Sequence, residues 1–193
     1  IWLLFMTGMR IGEATALTWK DVNLDRRYLT VKKSLYYKNA QTYELVSPKT
    51  RASIRTIYLD EDTVHYLRDW KKRQDDVGGI EFILSYNSVP TQKHTVRHII
   101  KRHAKLAEVH DIRIHALRHS HASLLISMGT NALLIKERLG HEDVQTTLGT
   151  YGHLYPSSST EIANELKGIV NVEFTNQNMA SEVTNQFTKG VKK

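Results

Sequence analysis

Three residues apart on a helix, His115 and Arg118 would meet on one face, so an imidazole and a guanidinium could both reach one phosphate. Arg10 and Glu13 share that spacing and so would share a helix face as an ordinary acid–base pair. Guanidinium forks match phosphate geometry and keep their charge at every relevant pH. Lys93, Arg97, Lys101 and Lys105 follow one another at steps of four, where like charges repel and a polyanion would relieve the repulsion. The stretch 91–121 holds seven Lys and Arg against Glu108 and Asp111, so five of the seven excess charges of the chain sit there. The chemistry these residues suggest is phosphate binding. Clustered histidines admit a second chemistry, because His115 and His119 have a metal-ligand spacing of four. No Glu follows His115 in a His-Glu-x-x-His pattern, however, and His119 and His121 would point apart on a helix, so no metal site is assigned.

Mostly helices would have to position these groups. Ile1 to Met6 reads as a buried helix broken by Gly8, and Arg10 to Leu17 resumes helical spacing. From Tyr28 to Leu59 the residues become β-branched and aromatic, which predicts three strands over about 28–36, 41–46 and 53–59. The turn Pro48-Lys49-Thr50-Arg51 lies between the last two, where Arg51 and Arg55 are neighbours that could contact phosphate. Downstream, Asp60 or Asp62 would cap a helix running to about Gln74 and ended by Gly78-Gly79. Thr91 would cap the next, to about Ala107, with Val96, Ile99, Ile100, Ala104 and Ala107 toward the core. Further helices are expected from about His115 to Met128, from Thr130 to Gly140 and from about Thr160 to Ile169. The fold class is therefore mainly α with a small three-stranded antiparallel sheet near the N-terminal third. Residues 1–170 read as one domain, and 171–193, rich in Asn, Thr and Gln, as a tail that is either flexible or docks in trans through Met179, Val183 and Phe187, which recur at steps of four.

Four segments, in this order, resemble the tyrosine recombinases of the phage integrase family. They are Thr7-Gly8-Met9-Arg10-Ile11-Gly12-Glu13, Pro48-Lys49-Thr50-Arg51, His115-Ala116-Leu117-Arg118, and Leu139-Gly140-His141 followed ten residues on by Tyr151. The resemblance covers roughly residues 1–170 and implies a catalytic set of Arg10, Lys49, His115, Arg118, His141 and Tyr151, with Glu13 supporting Arg10. It implies that Tyr151 attacks a DNA phosphodiester to leave a 3′-phosphotyrosyl link, with Lys49 as a mobile general acid and with no metal, ATP or other cofactor. A phenol titrates near pH ~10, so such a nucleophile needs neighbouring cations and a proton acceptor, and His115 is the first choice either to accept that proton or to hold the phosphate. Double-stranded DNA is the implied partner, and Arg51 and the stripe Lys93, Arg97, Lys101 and Lys105 are its expected contacts. The family further implies a tetramer on DNA with exchanged tails, and a core-binding domain ahead of this one. A type IB topoisomerase uses similar chemistry, but the Leu-Gly-His and Thr-Thr…Tyr context favours a recombinase. A DNA-binding module without catalysis would need only the charges, not all six residues.

Composition agrees. The 193 residues are 40% hydrophobic, enough for a buried core, and the net charge of +7 suits a polyanionic partner. With no cysteine, disulfides and thiol chemistry are excluded and an intracellular, cytoplasmic place is expected. The opening apolar run is far shorter than the ~20 residues that span a bilayer, so no membrane association is expected. The sequence starts without Met and in mid-pattern, which reads as a fragment whose core-binding domain is absent.

Overall fold

The computed structural model describes residues 1–39, 42–48, 50–85 and 88–155, with 163, 164, 166, 167 and 169 beyond them. Lys49, the Met179/Val183/Phe187 stripe and most of the helix expected from Thr160 lie outside the described residues. One compact unit spans Ile1–Tyr155, and a second begins at Pro156. Among the described residues no helix is long and apolar enough to cross a membrane.

The first unit opens with two short helices, α1 (Trp2–Thr7) and α2 (Ile11–Thr15). Five strands follow: β1 (Val22–Asn23), β2 (Tyr28–Val31), β3 (Ser34–Tyr37), β4 (Tyr43–Val46) and β5 (Arg55–Tyr58). The remainder is helical, with α3 (Glu61–Val77), α4 (Lys93–Leu106), α5 (Ile114–Ser127), α6 (Ala132–Leu139) and α7 (Val144–Tyr151). The mainly α class with a three-stranded antiparallel sheet is thus present.

The strand expected over 28–36 is two strands. β2 joins β1 and β5 in a sheet of order β1-β2-β5, with Leu29 opposite Ile57 and Val31 opposite Arg55. At Arg55 the partner strand ends, preceded by the 3-10 turn Arg51–Ser53, so the chain beyond Val31 has nothing left to pair with there. It turns away at Lys32-Lys33, and β3 pairs instead with β4 as a separate hairpin. Alternation along β2 and β5 buries Leu29, Val31 and Ile57 under the helices, and each such side chain contributes roughly 1.5–3 kcal/mol on leaving water.

Helix limits follow local chemistry. Asp60 caps α3 by accepting from the Thr63 backbone N–H at 2.9 Å, and the helix runs past Gln74 to Val77 before Gly78. Gln92 occupies the N-cap of α4 where Thr91 was expected, and Asn131 caps α6 one residue after Thr130, its side-chain oxygen accepting from Leu134 N–H at 3.0 Å. On α4 the inward face is Val96, Ile100 and Ala104, with Ile99 half-buried and Ala107 exposed at the C-cap. α5 is the central element. Ile114 and Leu117 join the main core with α1, the sheet, α3 and α4, whereas Ala122 and Ile126 join a second cluster with Ile135, Leu139 and Tyr151 from α6 and α7.

Candidate active site

The last carbonyls of a helix lack intrahelical partners and carry partial negative charge. At the end of α6 three successive carbonyls each meet a different arginine. Arg138 O accepts from Arg55 Nε at 2.7 Å, Leu139 O from Arg118 Nη2 at 2.8 Å, and Gly140 O from Arg10 Nη2 at 3.5 Å. Gly140 closes the helix in the left-handed region at φ 68°, where a side chain is strained. α1 ends the same way at Gly8, φ 64°, and its carbonyl accepts from Arg118 Nη1 at 2.7 Å. Arg118 is therefore pinned between the C-termini of two helices and is only 3% exposed. Burial, and then the neighbouring charge of Arg10, lower its pKa to about 10, which still leaves it charged at neutral pH.

Glu13 ties two of the arginines together. Its Oε1 accepts from Arg10 Nη1 at 2.9 Å and Arg55 Nη1 at 3.2 Å, and its Oε2 accepts from Arg55 Nη2 at 2.9 Å. Burial alone would push this carboxyl up, but the hydrogen bond and charge of Arg55, then those of Arg10, outweigh it and hold the group ionised below the usual range. Arg10 is not inside the helix as expected. It is the N-cap of α2, and its backbone N–H donates to Glu13 Oε2 at 2.9 Å, so the spacing of three works as a capping box.

Two imidazoles join this group. His141 follows Gly140, and its Nδ1 lies 2.8 Å from the buried Thr147 hydroxyl on α7. Burial, then the charges of Arg118, Arg10 and Arg55, push it down to about 4, so it is neutral at physiological pH. His115, in the first turn of α5, is lowered by burial and then by His119, Arg118, Arg10 and Lys93. Arg10 and His141 border a cleft of about 530 Å³ whose far wall is the β3–β4 hairpin with Pro48 and Thr50, the neighbours of Lys49. His115 borders a second cleft of about 810 Å³, shared with Lys93, Arg97 and Arg113. An anion reaching Arg10, Arg118, His115 and His141 would thus be approached from two clefts edged with cations.

Tyr151 is the last residue of α7 and is 4% exposed, packed in the cluster with Ala122, Ile126, Ile135 and Leu139. Burial raises its pKa, while the charge of Arg118 opposes the rise. Its hydroxyl lies 2.8 Å from Nδ1 of His119, whose ring stands edge-on to that of His115 at 4.7 Å. Tyr155 lacks such a contact. Its hydroxyl is buried with no hydrogen-bond partner among the described residues.

The expected DNA contacts fare unequally. Lys93, Lys101 and Lys105 are exposed on α4, and Arg51 is exposed at the start of its turn. Arg97 instead gives its fork to Asp111, with both N–O distances 2.6 Å, and adds a bond to Ile112 O at 3.2 Å. Two residues of the site hold roles the sequence reading did not give them, Arg55 being turned from phosphate to a buried pair with Glu13. Arg55 was readable from alternation, since Arg55, Ile57 and Leu59 occupy the inward phase of one strand and a buried arginine demands a carboxylate. His119 was weighed only as a metal ligand, and nothing local in the sequence pointed to Tyr151 as its partner.

Helices enclosing a small antiparallel sheet and a hairpin, with Arg118 and His119 beside a buried tyrosine, define the catalytic-domain fold of the tyrosine recombinases. The sequence matches the phage integrase family over residues 1–158, and the chain belongs to that family. It is 37% identical over 174 residues to the ICEBs1 integrase of Bacillus subtilis (strain 168), covering 86% of this chain and 47% of that protein. It is 31% identical over 160 residues to the tyrosine recombinase XerC of Treponema denticola, covering 75% and 47%. In three dimensions it resembles the Tn1549 transposon integrase, solved in complex with circular intermediate DNA, at TM-score 0.70 and 23% identity over 84% of this chain and 56% of that one. It also resembles the catalytic domain of bacteriophage HP1 integrase at TM-score 0.53 and 21% identity, covering 88% and 81%. The chain spans about half the length of the two relatives compared by sequence.

Proposed function

We propose that this chain is the catalytic domain of a site-specific DNA recombinase of a mobile element, acting in the cytoplasm on double-stranded DNA. The observation that carries the reading is the convergence of Arg10, Arg118, His115 and His141 beside a buried tyrosine, in a chain whose relatives are named integrases and recombinases. Tyr151 attacks a phosphodiester, and negative charge grows on the non-bridging oxygens in an in-line transition state. Arg10 and Arg118, already oriented by helix-end carbonyls and Glu13, clamp those oxygens without reorganising. His141 and His115 donate further hydrogen bonds to the phosphate. Lys49 protonates the departing 5′ oxygen. The 3′-phosphotyrosyl link conserves the bond energy, so a 5′ hydroxyl can reverse the reaction on another strand without ATP or a metal. In the intact protein the assembly is a tetramer on two sites, with residues 171–193 as the exchanged tail and residues 1–170 as the catalytic body.

The test is covalent capture. The chain is incubated with a pool of nicked suicide duplexes of randomised sequence, and protein–DNA adducts are resolved on a denaturing gel. Wild type should yield an adduct and Tyr151→Phe none. An adduct of equal yield from Tyr151→Phe would overturn the assignment of the nucleophile.

A further inference from the structure

A buried phenol that attacks phosphorus must hand its proton to whatever touches its oxygen. Tyr151 is 4% exposed, and among the described residues its hydroxyl meets Nδ1 of His119 at 2.8 Å. The ring centroids are 5.7 Å apart. The phosphate-facing groups are otherwise engaged or unsuited. Arg118 already donates to Gly8 O and Leu139 O, and a guanidinium has no acceptor. His141 has its Nδ1 against Thr147. His115, four residues earlier on the same helix, packs its ring edge-on against that of His119 at 4.7 Å. His119 itself is exposed, so one side of its ring meets the phenol and the residue as a whole meets water.

We propose that His119 is a further catalytic residue, the base that receives the phenolic proton of Tyr151. The inference rests on the reading of Tyr151 as nucleophile. In the forward step the Tyr151 O–H bond breaks and the proton moves to Nδ1 of His119, present as the tautomer with its proton on Nε2. The phenolate oxygen forms the new O–P bond, and the P–O bond to the 5′ oxygen breaks with its electron pair on that oxygen, which Lys49 protonates. The resulting imidazolium releases its Nε2 proton to solvent, and on religation Nε2 takes a proton back from solvent while Nδ1 returns its proton to the phenol. An imidazole works here because it carries a proton from a closed side to an open one through its two nitrogens. His115 is left to hold the phosphate.

The experiment uses the full chain and a duplex captured by wild type from the randomised pool, and it measures the single-turnover rate of adduct formation with DNA binding measured alongside. His119→Ala should bind DNA as wild type does and form adduct on the order of a hundredfold more slowly or worse, the usual share of general acid–base catalysis. His119→Asn, which can accept a hydrogen bond at the Nδ1 position but takes no proton, should be as slow. Free imidazole in the buffer should restore part of the rate to His119→Ala. The slowing should persist on a duplex with sulfur in place of the 5′ bridging oxygen, whose thiolate leaves without an acid. A His119→Ala rate within about threefold of wild type, with Tyr151→Phe inactive, overturns this inference and spares the nucleophile. A wild-type rate for His119→Asn makes the contact one of position only and overturns it too, as does recovery on the sulfur duplex, which would move His119 to the leaving group. If His119→Ala fails to fold, the Asn variant and the sulfur duplex decide. Adduct from Tyr151→Phe defeats the underlying reading instead.

Discussion

Glu13 is 4% exposed and serves two guanidiniums, so removing either one leaves charge behind in a dry place. Arg55 has the greater share. It bonds both carboxylate oxygens and the carbonyls of Ser53 and Arg138. Arg55→Ala is expected to cost about 3 kcal/mol in urea unfolding, the lower end for a broken buried pair because Arg10 still holds one oxygen. A loss well under about 1 kcal/mol would show that Glu13 is paired sufficiently by Arg10 alone. Histidine protonation gives a second prediction at this scale. His121, 4% exposed, accepts from Arg138 Nε at 3.0 Å, and burial followed by the charges of Arg138 and Arg118 pushes it down to about 4. Unfolded, the same imidazole titrates near its ordinary value, so between these limits the unfolded chain binds the extra proton. Stability is then fully present above about pH 6.5 and falls as the pH drops toward about 4, by roughly 1 kcal/mol per pH unit for this residue at the steepest. His141, also lowered to about 4, adds in the same direction. Unfolding of wild type at pH 7 and pH 5 should differ accordingly, and His121→Gln, which can still accept from Arg138, should flatten the difference.

At the scale of elements, the end of α6 matters more than any one side chain. Its carbonyls at 138, 139 and 140 orient three arginines, and the left-handed turn at Gly140 aims them. An alanine there would be strained at φ 68°, and its Cβ would lie 2.8 Å from Arg55 Nη1 and 3.1 Å from the Ala52 carbonyl. Gly140→Ala is therefore expected to cost about 2 kcal/mol of stability, and to slow adduct formation by about tenfold or more at temperatures where it remains folded. Full activity in a folded variant would show that the carbonyl frame does not set the clamp. Much of the element order was legible, because Asp60 caps α3 by side-chain chemistry and Gly78 and Gly140 stop helices, although α6 is capped by Asn131, one residue past the expected Thr130. The division of the strand at Lys32-Lys33 was not, since it depends on where β5 ends rather than on the residues that turn. Legibility of the site divides the same way. The spacing of Arg10 and Glu13 spoke for itself, although as a cap rather than a helical pair. The carbonyl acceptors could not be read, because every residue carries one and only the fold decides which are left unpaired. His119 and Tyr151 are 32 residues apart and meet only because α5 and α7 pack in one cluster.

For the molecule as a whole, the net charge of +7 predicts attraction to any duplex, and the structure divides the basic residues into those free to contribute and those already used. Lys101 and Lys105 stand exposed on α4, whereas Arg97 is spent on Asp111 through both nitrogens of its fork. If the α4 stripe lies against phosphates, each contacting lysine releases one counterion, and the slope of log affinity against log salt falls by about 0.9 when that lysine is removed. Lys101→Ala with Lys105→Ala should therefore lower the slope by about 2, measured by fluorescence anisotropy on a duplex of arbitrary sequence. Arg97→Ala should change the slope far less, because its donors are turned to Asp111 before DNA arrives. Equal changes for all three substitutions would mean that the Arg97–Asp111 pair opens on binding. No change for the lysine pair would move the DNA path off α4 and onto the cleft that Arg10 and His141 border opposite the β3–β4 hairpin.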